Sequence, residues 1–276
     1  MENKNVFIAI ALSMTVLLFW QYAFVDTTKD INSKKLIENE KTKNKKIVND
    51  NSITPNINQT NEVISLSRSD SIKNSQRVQI ENKNIIGSIS LKGAIIDDLS
   101  FKNYKKDIAK EEIINLLNPR DTTNGYFIET GWTSVGNKID VPRTDSIWKT
   151  VGTNKLVANE SLILEWQNKN GIVFRKKIEL DDKFLFKVTQ EIINESKETI
   201  SLYPYAQITR NKIPDDIQNF YISHEGFIGV FNEELKEDDY DDIEDKKINR
   251  EADNGWFGIT DKYWLTAIVP PKNENF

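Results

Sequence analysis

The chain has 276 residues, no cysteine, and 42 acidic side chains against 37 lysines and arginines, which gives a formal net charge of −5. The lack of cysteine excludes disulfides, thiolate metal sites and cysteine nucleophiles. The acidic balance argues against a nucleic-acid partner, because nucleic-acid binders usually concentrate basic charge on one surface.

A membrane-spanning helix is predicted near the amino terminus. Residues 6–25, VFIAIALSMTVLLFWQYAFV, contain no charged side chain, and a helix of this length spans about 30 Å, the thickness of a bilayer's hydrocarbon core. A cleaved signal peptide is disfavoured, because the apolar run is long and no small-x-small cleavage site follows it. The residues predicted to anchor the chain in the membrane are Val6, Phe19, Trp20, Tyr22 and Val25.

The charges that flank this helix leave its orientation open. Lys4 alone precedes the run, whereas seven lysines lie between residues 26 and 46. Taken alone, this asymmetry places the downstream part of the chain in the cytoplasm, but the positive-inside rule is weak for long translocated domains.

Residues 26–76 are predicted to form a flexible linker. This stretch contains no aromatic residue and no periodic apolar pattern, so it buries too little surface to offset the entropy of ordering it. A random coil of this length has a reach of roughly 40 Å, which keeps a domain near the membrane without fixing it there.

From Arg77 onward the apolar pattern has a period of two. In residues 171–180 the side chains of Ile172, Phe174, Ile178 and Leu180 share one face, and charged side chains occupy the other. This alternation is typical of strands with one buried face, and residues 183–192 repeat it. Turn-forming residues separate the runs, so four successive hairpin-linked strands are predicted between Ser161 and Arg210.

Further strands are predicted over residues 78–81, 85–91, 94–101, 126–130, 220–224, 227–231, 256–260 and 263–269. Residues 109–117 fit either a short helix or an irregular strand. We therefore predict an all-β domain over residues 77–276, built as a large antiparallel β-sandwich.

The sequence contains little that indicates catalysis. Its one histidine, His224, is predicted to satisfy a backbone carbonyl at a strand end, since a triad or a zinc site needs further partners. The acidic run over residues 237–245 lacks the spacing of a calcium loop and is predicted to be a solvated surface loop. We expect no enzymatic activity, no cofactor and no metal site, and we expect most aromatic side chains to lie in the core.

Several sequence blocks, taken in order, resemble the YidC family of bacterial membrane protein insertases. The blocks are Met1–Asn5 with the apolar run that follows, Leu91–Leu99, Tyr126–Trp132, Phe174–Ile178, Leu202–Ala206, His224–Gly226 and Gly255–Trp264.

The resemblance implies a cytoplasmic amino terminus (residues 1–5), one membrane helix and a periplasmic domain, in the inner membrane of a Gram-negative bacterium. It implies a β-supersandwich similar to the galactose mutarotase fold over residues 77–276, incomplete at its C-terminal end. The insertase groove is then expected beyond residue 276, built from five further membrane helices.

The function implied by the resemblance is to help integrate and fold inner-membrane proteins, with or without the Sec translocon. The implied partners are membrane lipid, nascent inner-membrane proteins, and the Sec translocon with its SecD and SecF accessory subunits. The alternative is a membrane-anchored periplasmic β-sandwich that binds carbohydrate or peptide, with Trp132 or Trp256 stacking on a sugar. The single histidine argues against a mutarotase-like enzyme.

Overall fold

The structure is a computed structural model that describes residues 12–17, 19, 66–106, 111–137, 139–215, 217, 224–244, 247–261 and 263–276. The chain divides into two units, Met1–Asn51 and Ser52–Phe276. In the first unit, residues 12–17 and 19 are helical. No helix among the described residues is long and apolar enough to cross a membrane, and most of the predicted span over residues 6–25 lies outside the described residues.

Within the described part of the second unit, the chain forms fifteen strands, two short helices and one 3₁₀ turn. The helices are α1 (Arg68–Lys73) and α2 (Tyr240–Glu244), and the turn is Val135–Asn137. The strands are β1 (Arg77–Glu81), β2 (Ile85–Ser90), β3 (Ile95–Lys105), β4 (Ile113–Leu117), β5 (Tyr126–Ser134), β6 (Lys149–Val151), β7 (Lys155–Val157), β8 (Ser161–Gln167), β9 (Ile172–Leu180), β10 (Phe186–Asn194), β11 (Leu202–Arg210), β12 (Gly226–Phe231), β13 (Glu234–Asp239), β14 (Gly255–Asp261) and β15 (Trp264–Ile268).

The strands form three sheets. The first has the order β11-β5-β3-β2-β1-β7, with β4 also paired to β3; the second has the order β10-β9-β8-β6; and the third has the order β13-β12-β14-β15. Every pair is antiparallel except β1 with β7, which is parallel. The prediction of an all-β domain is therefore confirmed.

One step of the predicted connectivity is wrong. The strands β8, β9 and β10 are joined by hairpins as predicted, but β11 does not pair with β10. Instead, β11 pairs with β5 over nine residues of the first sheet. The turn residues after Asn194 therefore carry the chain from one sheet to another, because a turn signal does not specify which strand follows as a neighbour.

Two other ambiguous segments are settled by the structure. Of the two interpretations of residues 109–117, the irregular strand is correct over Ile113–Leu117, whose pairing with β3 shifts register. The acidic run is not a loop up to residue 244, because it forms the end of β13 and then α2, with Tyr240 buried. The strand predicted over residues 220–224 lies, apart from His224, outside the described residues.

The end of the predicted linker carries structure of its own. Helix α1 begins after Ser67, whose side chain accepts a hydrogen bond from the backbone N–H of Asp70 and so caps the helix. Its first residue, Arg68, forms an ion pair with Asp98 of β3. The structured domain therefore begins ahead of residue 77, by Leu66 at the latest, while the rest of the linker prediction falls outside the described residues.

Buried side chains from all three sheets form one hydrophobic core. Between the first two sheets, the ring of Trp132 on β5 contacts Phe174 on β9 with a centroid distance of 5.2 Å. Trp132 also stacks on Trp148 at 6.4 Å. Ile259 and Tyr240 extend the same core toward the third sheet.

Candidate functional site

The predicted anchor residues are only partly described. Phe19 is helical and 67 % exposed within its unit, and the neighbouring apolar side chains from Leu12 to Leu17 are exposed as well. Val6, Trp20, Tyr22 and Val25 lie outside the described residues. An exposed apolar helix needs an apolar surrounding, since burying such surface stabilises by about 25 cal/mol per Å².

A lysine lies at the centre of the domain. Lys176 is on β9, on the same face as Ile172, Phe174, Ile178 and Leu180, and it is 1 % exposed. The alternating pattern predicted this face for the four apolar residues, and the lysine was not predicted to join them. A buried cation is unusual because it costs several kcal/mol to remove from water unless it is paired or hydrogen-bonded.

The ammonium group of Lys176 reaches across to the first sheet. It donates hydrogen bonds to the carbonyl oxygens of Thr130 at 2.6 Å, Ala94 at 3.3 Å and Gly93 at 3.5 Å. The same Nζ lies 4.8 Å from the ring centroid of Trp148, within the range of a cation–π interaction. One side chain thereby connects β9 to β5 and to the turn between β2 and β3.

The turn that supplies two of these carbonyls has an unusual backbone. Gly93 has φ +82° and Ala94 has φ +51°, and the left-handed region is uncommon for a residue with a Cβ atom. A Cβ on Gly93 would lie 2.9 Å from the carbonyl oxygen of Thr144. The turn therefore requires glycine at its first left-handed position and holds Ala94 in a costly conformation beside the lysine.

A buried carboxylate lies near the lysine. Glu129 on β5 is buried and accepts a hydrogen bond from the hydroxyl of Tyr205 at 2.9 Å and a longer one from the amide of Gln207 at 3.4 Å. Burial lowers the pKa of Lys176 to about 7, and the charge of Glu129 acts in the opposite direction. Burial, together with the adjacent Glu129 charge, raises the pKa of Tyr205, so the tyrosine keeps its proton and remains a donor.

We name this group of residues the Lys176 centre: Lys176, Glu129, Tyr205 and Trp148, with the carbonyls of Gly93, Ala94 and Thr130. Four of the sequence blocks that carry the family resemblance converge on it, since all of these residues except Trp148 come from Leu91–Leu99, Tyr126–Trp132, Phe174–Ile178 and Leu202–Ala206. The sequence alone does not show what joins these blocks. The only available signal was a lysine at an inward position of a strongly alternating strand.

The contacts of the Lys176 centre indicate a structural role. A lysine with a pKa near neutrality can act as a nucleophile when substrate reaches it. Here the Lys176 nitrogen is enclosed and lies within hydrogen-bond distance of three carbonyl oxygens, so no substrate reaches it in this conformation. The arrangement fixes the second sheet against the first.

Two ion pairs, one buried and one partly exposed, involve neighbouring aspartates of β3 in the first sheet. Arg77 pairs with Asp97, and both side chains are almost fully buried. Burial raises the pKa of Asp97, and the Arg77 charge acts to lower it. Arg68 of α1 pairs with Asp98, which also accepts a hydrogen bond from Ser88 at 2.6 Å. The Arg77–Asp97 pair connects β1 to β3, and the Arg68–Asp98 pair attaches α1 to β3.

A third polar cluster connects the first sheet to the third. Arg210 on β11 donates to both carboxylate oxygens of Asp261 at 2.7 and 2.8 Å, and its guanidinium lies 4.6 Å from the ring centroid of Tyr126. Burial acts to lower the pKa of Arg210, but the hydrogen bond to Asp261 and the charge of Asp261, together with smaller contributions from Tyr240 and Tyr126, raise it overall. Burial raises the pKa of Tyr240, which contacts both groups, to about 12.

The histidine and the acidic run, which were the candidates for catalysis and metal binding, make local contacts with neighbouring residues. His224 lies 2.9 Å from the carbonyl oxygen of Phe227, which confirms the predicted role of that ring, and its other nitrogen lies 3.2 Å from Asp239. In the acidic run, Asp238 forms a two-pronged ion pair with Arg250 at 2.5 and 2.7 Å. Among the residues that the structure describes, no group of three or more potential ligands is placed to hold a metal ion.

The aromatic side chains divide between the core and one rim of the domain. Tyr126, Phe127, Trp132 and Trp148 are buried as predicted. At the rim, Tyr104 and Phe184 are half exposed and contact the buried ring of Phe101. The ring of Trp264 packs against that of Phe101 in a tilted arrangement, with a centroid distance of 4.5 Å. No groove lined by Trp132 is available for a sugar, because that ring is enclosed between the sheets.

Comparison with known proteins gives a consistent result. Residues 77–276 match the family model of the YidC periplasmic domain. The chain is 44 % identical over 276 residues to the membrane protein insertase YidC of Pelagibacter ubique, covering all of this chain and 48 % of that protein. It is 38 % identical over 212 residues to the YidC insertase of a Jannaschia species, covering 72 % of this chain and 34 % of that protein.

A third relative extends the same pattern. The YidC insertase of Rickettsia canadensis is 35 % identical over 275 residues, covering 99 % of this chain and 47 % of that protein. The chain therefore spans about half the length, or less, of the curated relatives it matches.

Proposed function

The chain belongs to the YidC family through its periplasmic domain, and on that premise we propose that it acts as the amino-terminal part of a membrane protein insertase. In this role it supplies a membrane anchor and a periplasmic interaction domain, and it assists the integration and folding of inner-membrane proteins. The observation that carries the proposal is the family match over residues 77–276, together with relatives that bear the name membrane protein insertase.

The proposed anchor is the helix over residues 6–25. Its support is the uncharged run of twenty residues and the helical conformation of residues 12–17 and 19, with their exposed apolar side chains. Residues 1–5 are proposed to lie in the cytoplasm and residues 77–276 in the periplasm, joined through the linker. The family to which the domain belongs outweighs the lysines that follow the helix, since long domains translocate largely regardless of charge.

The proposed architecture of the domain is a β-supersandwich similar to the galactose mutarotase fold. Its support is the stacking of the first two sheets around Trp132 and Phe174, together with the third sheet attached through Arg210 and Asp261. We propose a non-catalytic role for this domain, since the side chain of Lys176 is enclosed and hydrogen-bonded. Membrane lipid, nascent inner-membrane proteins and the Sec translocon with SecD and SecF are the proposed partners. The alternative of a carbohydrate-binding sandwich is not favoured by the family match.

A chimera tests the proposed function. The corresponding amino-terminal segment of the Pelagibacter ubique relative is replaced by this chain, and the chimera is produced in cells depleted of their own insertase. We expect growth and the membrane integration of a reporter protein to be restored. A chimera that accumulates in the membrane without restoring integration would contradict the proposal, provided that the intact relative restores it in parallel.

The proposed orientation is tested with the single cysteine of Ser52→Cys, which is unambiguous because the chain has no native cysteine. We expect a membrane-impermeant thiol reagent to label this position from the periplasmic side of intact cells. Labelling that appears only after lysis would place the linker in the cytoplasm and overturn the orientation.

A further inference from the structure

Three Asn-Gly pairs occur in the sequence, at residues 124–125, 170–171 and 254–255, and the asparagine of each pair is exposed. In such a pair the backbone nitrogen of the glycine can attack the side-chain amide carbon of the asparagine, because glycine has no Cβ atom to obstruct the approach. The reaction needs a peptide group that is free to turn toward the side chain. The hydrogen bonds of each peptide group therefore decide which pair reacts.

The peptide group that joins Asn124 to Gly125 is held in place. The N–H of Gly125 donates to the carbonyl oxygen of Thr122 at 3.1 Å, and the carbonyl oxygen of the same glycine accepts from the N–H of Asn211 at 2.8 Å. Gly125 is buried, and a Cβ atom at this position would lie 2.3 Å from the side-chain nitrogen of Asn211. The attacking nitrogen must first give up a hydrogen bond in a crowded place, so the fold protects Asn124.

The peptide group that joins Asn254 to Gly255 is held as well. The carbonyl oxygen of Asn254 accepts from the N–H of Asn232 at 2.9 Å, and the N–H of Asn254 donates to the side-chain oxygen of Asn232 at 3.3 Å. Gly255 lies opposite Phe231 of β12, and a Cβ atom there would lie only 1.8 Å from the carbonyl oxygen of Val230. This peptide group cannot turn without separating the ends of two paired strands, so the fold protects Asn254 too.

The peptide group that joins Asn170 to Gly171 is less restrained. It lies in the turn between β8 and β9, where the side-chain oxygen of Asn168 accepts from the N–H groups of Asn170 at 2.9 Å and Ile172 at 3.0 Å. Within the part of the chain that the structure describes, neither the carbonyl oxygen of Asn170 nor the N–H of Gly171 has a hydrogen-bond partner. Gly171 has φ +79°, and a Cβ atom there would meet only Glu195, at 4.0 Å. The glycine nitrogen therefore has room to move.

We propose that Asn170 is a site of spontaneous deamidation and that it reacts ahead of Asn124 and Asn254. The nitrogen of Gly171 forms a bond to Cγ of Asn170, the bond from Cγ to the side-chain nitrogen breaks, and ammonia leaves with the proton of the glycine N–H. Water then opens the resulting five-membered succinimide at either of its two carbonyl carbons. The products are aspartate and isoaspartate, and in isoaspartate the backbone runs through the side-chain carbon.

The isoaspartate product alters the hairpin between β8 and β9. It lengthens the backbone by one carbon atom between Asn170 and Gly171, inside the segment that the two hydrogen bonds of Asn168 enclose. Ile172, the first residue of β9, is buried, and its carbonyl oxygen accepts from the N–H of Asn168 at 3.0 Å. The longer segment strains these contacts, so the start of β9 is expected to loosen. The aspartate product adds the same negative charge without the added length.

Peptide mass spectrometry of the full chain in phospholipid vesicles tests the proposal. The folded chain is kept at mildly alkaline pH and digested at intervals, and the gain in mass from amide to acid is followed at each asparagine. We expect Asn170 to convert several-fold faster than Asn124 or Asn254. In a parallel sample unfolded in urea the three rates are expected to converge, because the rates at Asn124 and Asn254 rise several-fold while that at Asn170 changes little.

Two outcomes of this measurement would overturn the proposal. Equal rates at the three asparagines in the folded chain would show that the hydrogen bonds do not select the site. A several-fold rise at Asn170 on unfolding would show that the fold protects this pair as well.

Asn170→Gln is the matched control variant. Its longer side chain closes the ring far less readily, so conversion at this position is expected to stop, while the rates at Asn124 and Asn254 stay unchanged. Conversion that persists in Asn170→Gln would mean that water attacks the side chain directly, and it would overturn the role of the Gly171 nitrogen.

Hydrogen exchange tests the expected change in the hairpin. Chains aged until Asn170 has converted are expected to exchange the Ile172 amide several-fold faster than fresh chains do. Fresh Asn170→Asp, which adds the charge without the extra backbone carbon, is expected to exchange this amide like the wild type. Equal exchange in aged and fresh chains would overturn the expected loosening of β9.

Discussion

The adjacent strands β9 and β10 have a similar alternation of apolar and polar side chains, but they differ in how far those side chains are buried. Both alternate apolar with polar side chains, and they pair over nine residues without a shift. On β9 every inward position is buried, from Ile172 to Leu180. On β10 no residue is fully buried, and Ile192 at an inward position is exposed. Alternation therefore determines which side chains share a face, and the position of a strand within its sheet determines how far that face is covered.

The largest effect is expected from Phe174→Ala on β9. This ring is fully buried and contacts Trp132 at 5.2 Å and Trp166 at 5.7 Å, so its removal leaves a cavity between the sheets. We expect a loss of about 3–5 kcal/mol in the free energy of unfolding, measured by urea denaturation with tryptophan fluorescence. Phe186→Ala on β10 is the matched control and is expected to cost less than half as much. Equal losses would show that the two strands are covered alike.

The comparison also explains how much of this fold the sequence could predict. The faces of β9 followed from its period of two, and most strand positions followed from the same pattern. The destination of β11 could not be predicted, because strand pairing depends on which free edge the chain reaches rather than on the turn at Asn194. The Lys176 centre could not be predicted either, because its members come from segments far apart in sequence and its acceptors are backbone carbonyls, which have no sequence signature.

The next largest effect is expected from Lys176→Met. The substitution keeps the length of the side chain and leaves the carbonyl oxygens of Thr130, Ala94 and Gly93 without their donor. We expect a loss of about 1–3 kcal/mol near pH 8, the usual cost of orphaned buried polar groups. Lys177→Met, the adjacent lysine on the outer face with Glu179 as its ion-pair partner, is the control and is expected to change stability by less than about 0.5 kcal/mol.

The pH dependence of the stability of the wild type and of Lys176→Met tests the lowered pKa of Lys176. Burial lowers the pKa of Lys176 to about 7 in the folded state, whereas an unfolded lysine titrates near 10.4. Between these values the unfolded state binds the extra proton, so the contribution of Lys176 to stability rises with pH, by at most about 1.4 kcal/mol per pH unit. Below pH 7 both states are protonated and the slope disappears. The stability difference between the wild type and Lys176→Met is therefore expected to increase from pH 7 to pH 10, and a flat difference would contradict the lowered pKa.

A smaller effect is expected at a polar contact that β10 makes with the first sheet. The side-chain amide of Gln190 donates to the carbonyl oxygen of Gly131 at 2.7 Å. Gln190→Ala is expected to cost about 0.5–1.5 kcal/mol, the net value of one hydrogen bond. Lys187→Ala, two strand positions from Thr189 on the outer face, is the control and should be close to neutral. A neutral Gln190→Ala would mean that water replaces the amide and that β10 is held by β9 alone.

The smallest effect is expected from Ile192→Ala, and it is the most informative about this end of β10. This side chain is 37 % exposed, so truncation is expected to cost less than about 1 kcal/mol, whereas Ile178→Ala on β9, which is fully buried, should cost about 2–5 kcal/mol. Urea midpoints of both variants, compared with that of the wild type, measure the two costs. A cost for Ile192→Ala as large as that of Ile178→Ala would mean that another part of the chain covers this end of β10.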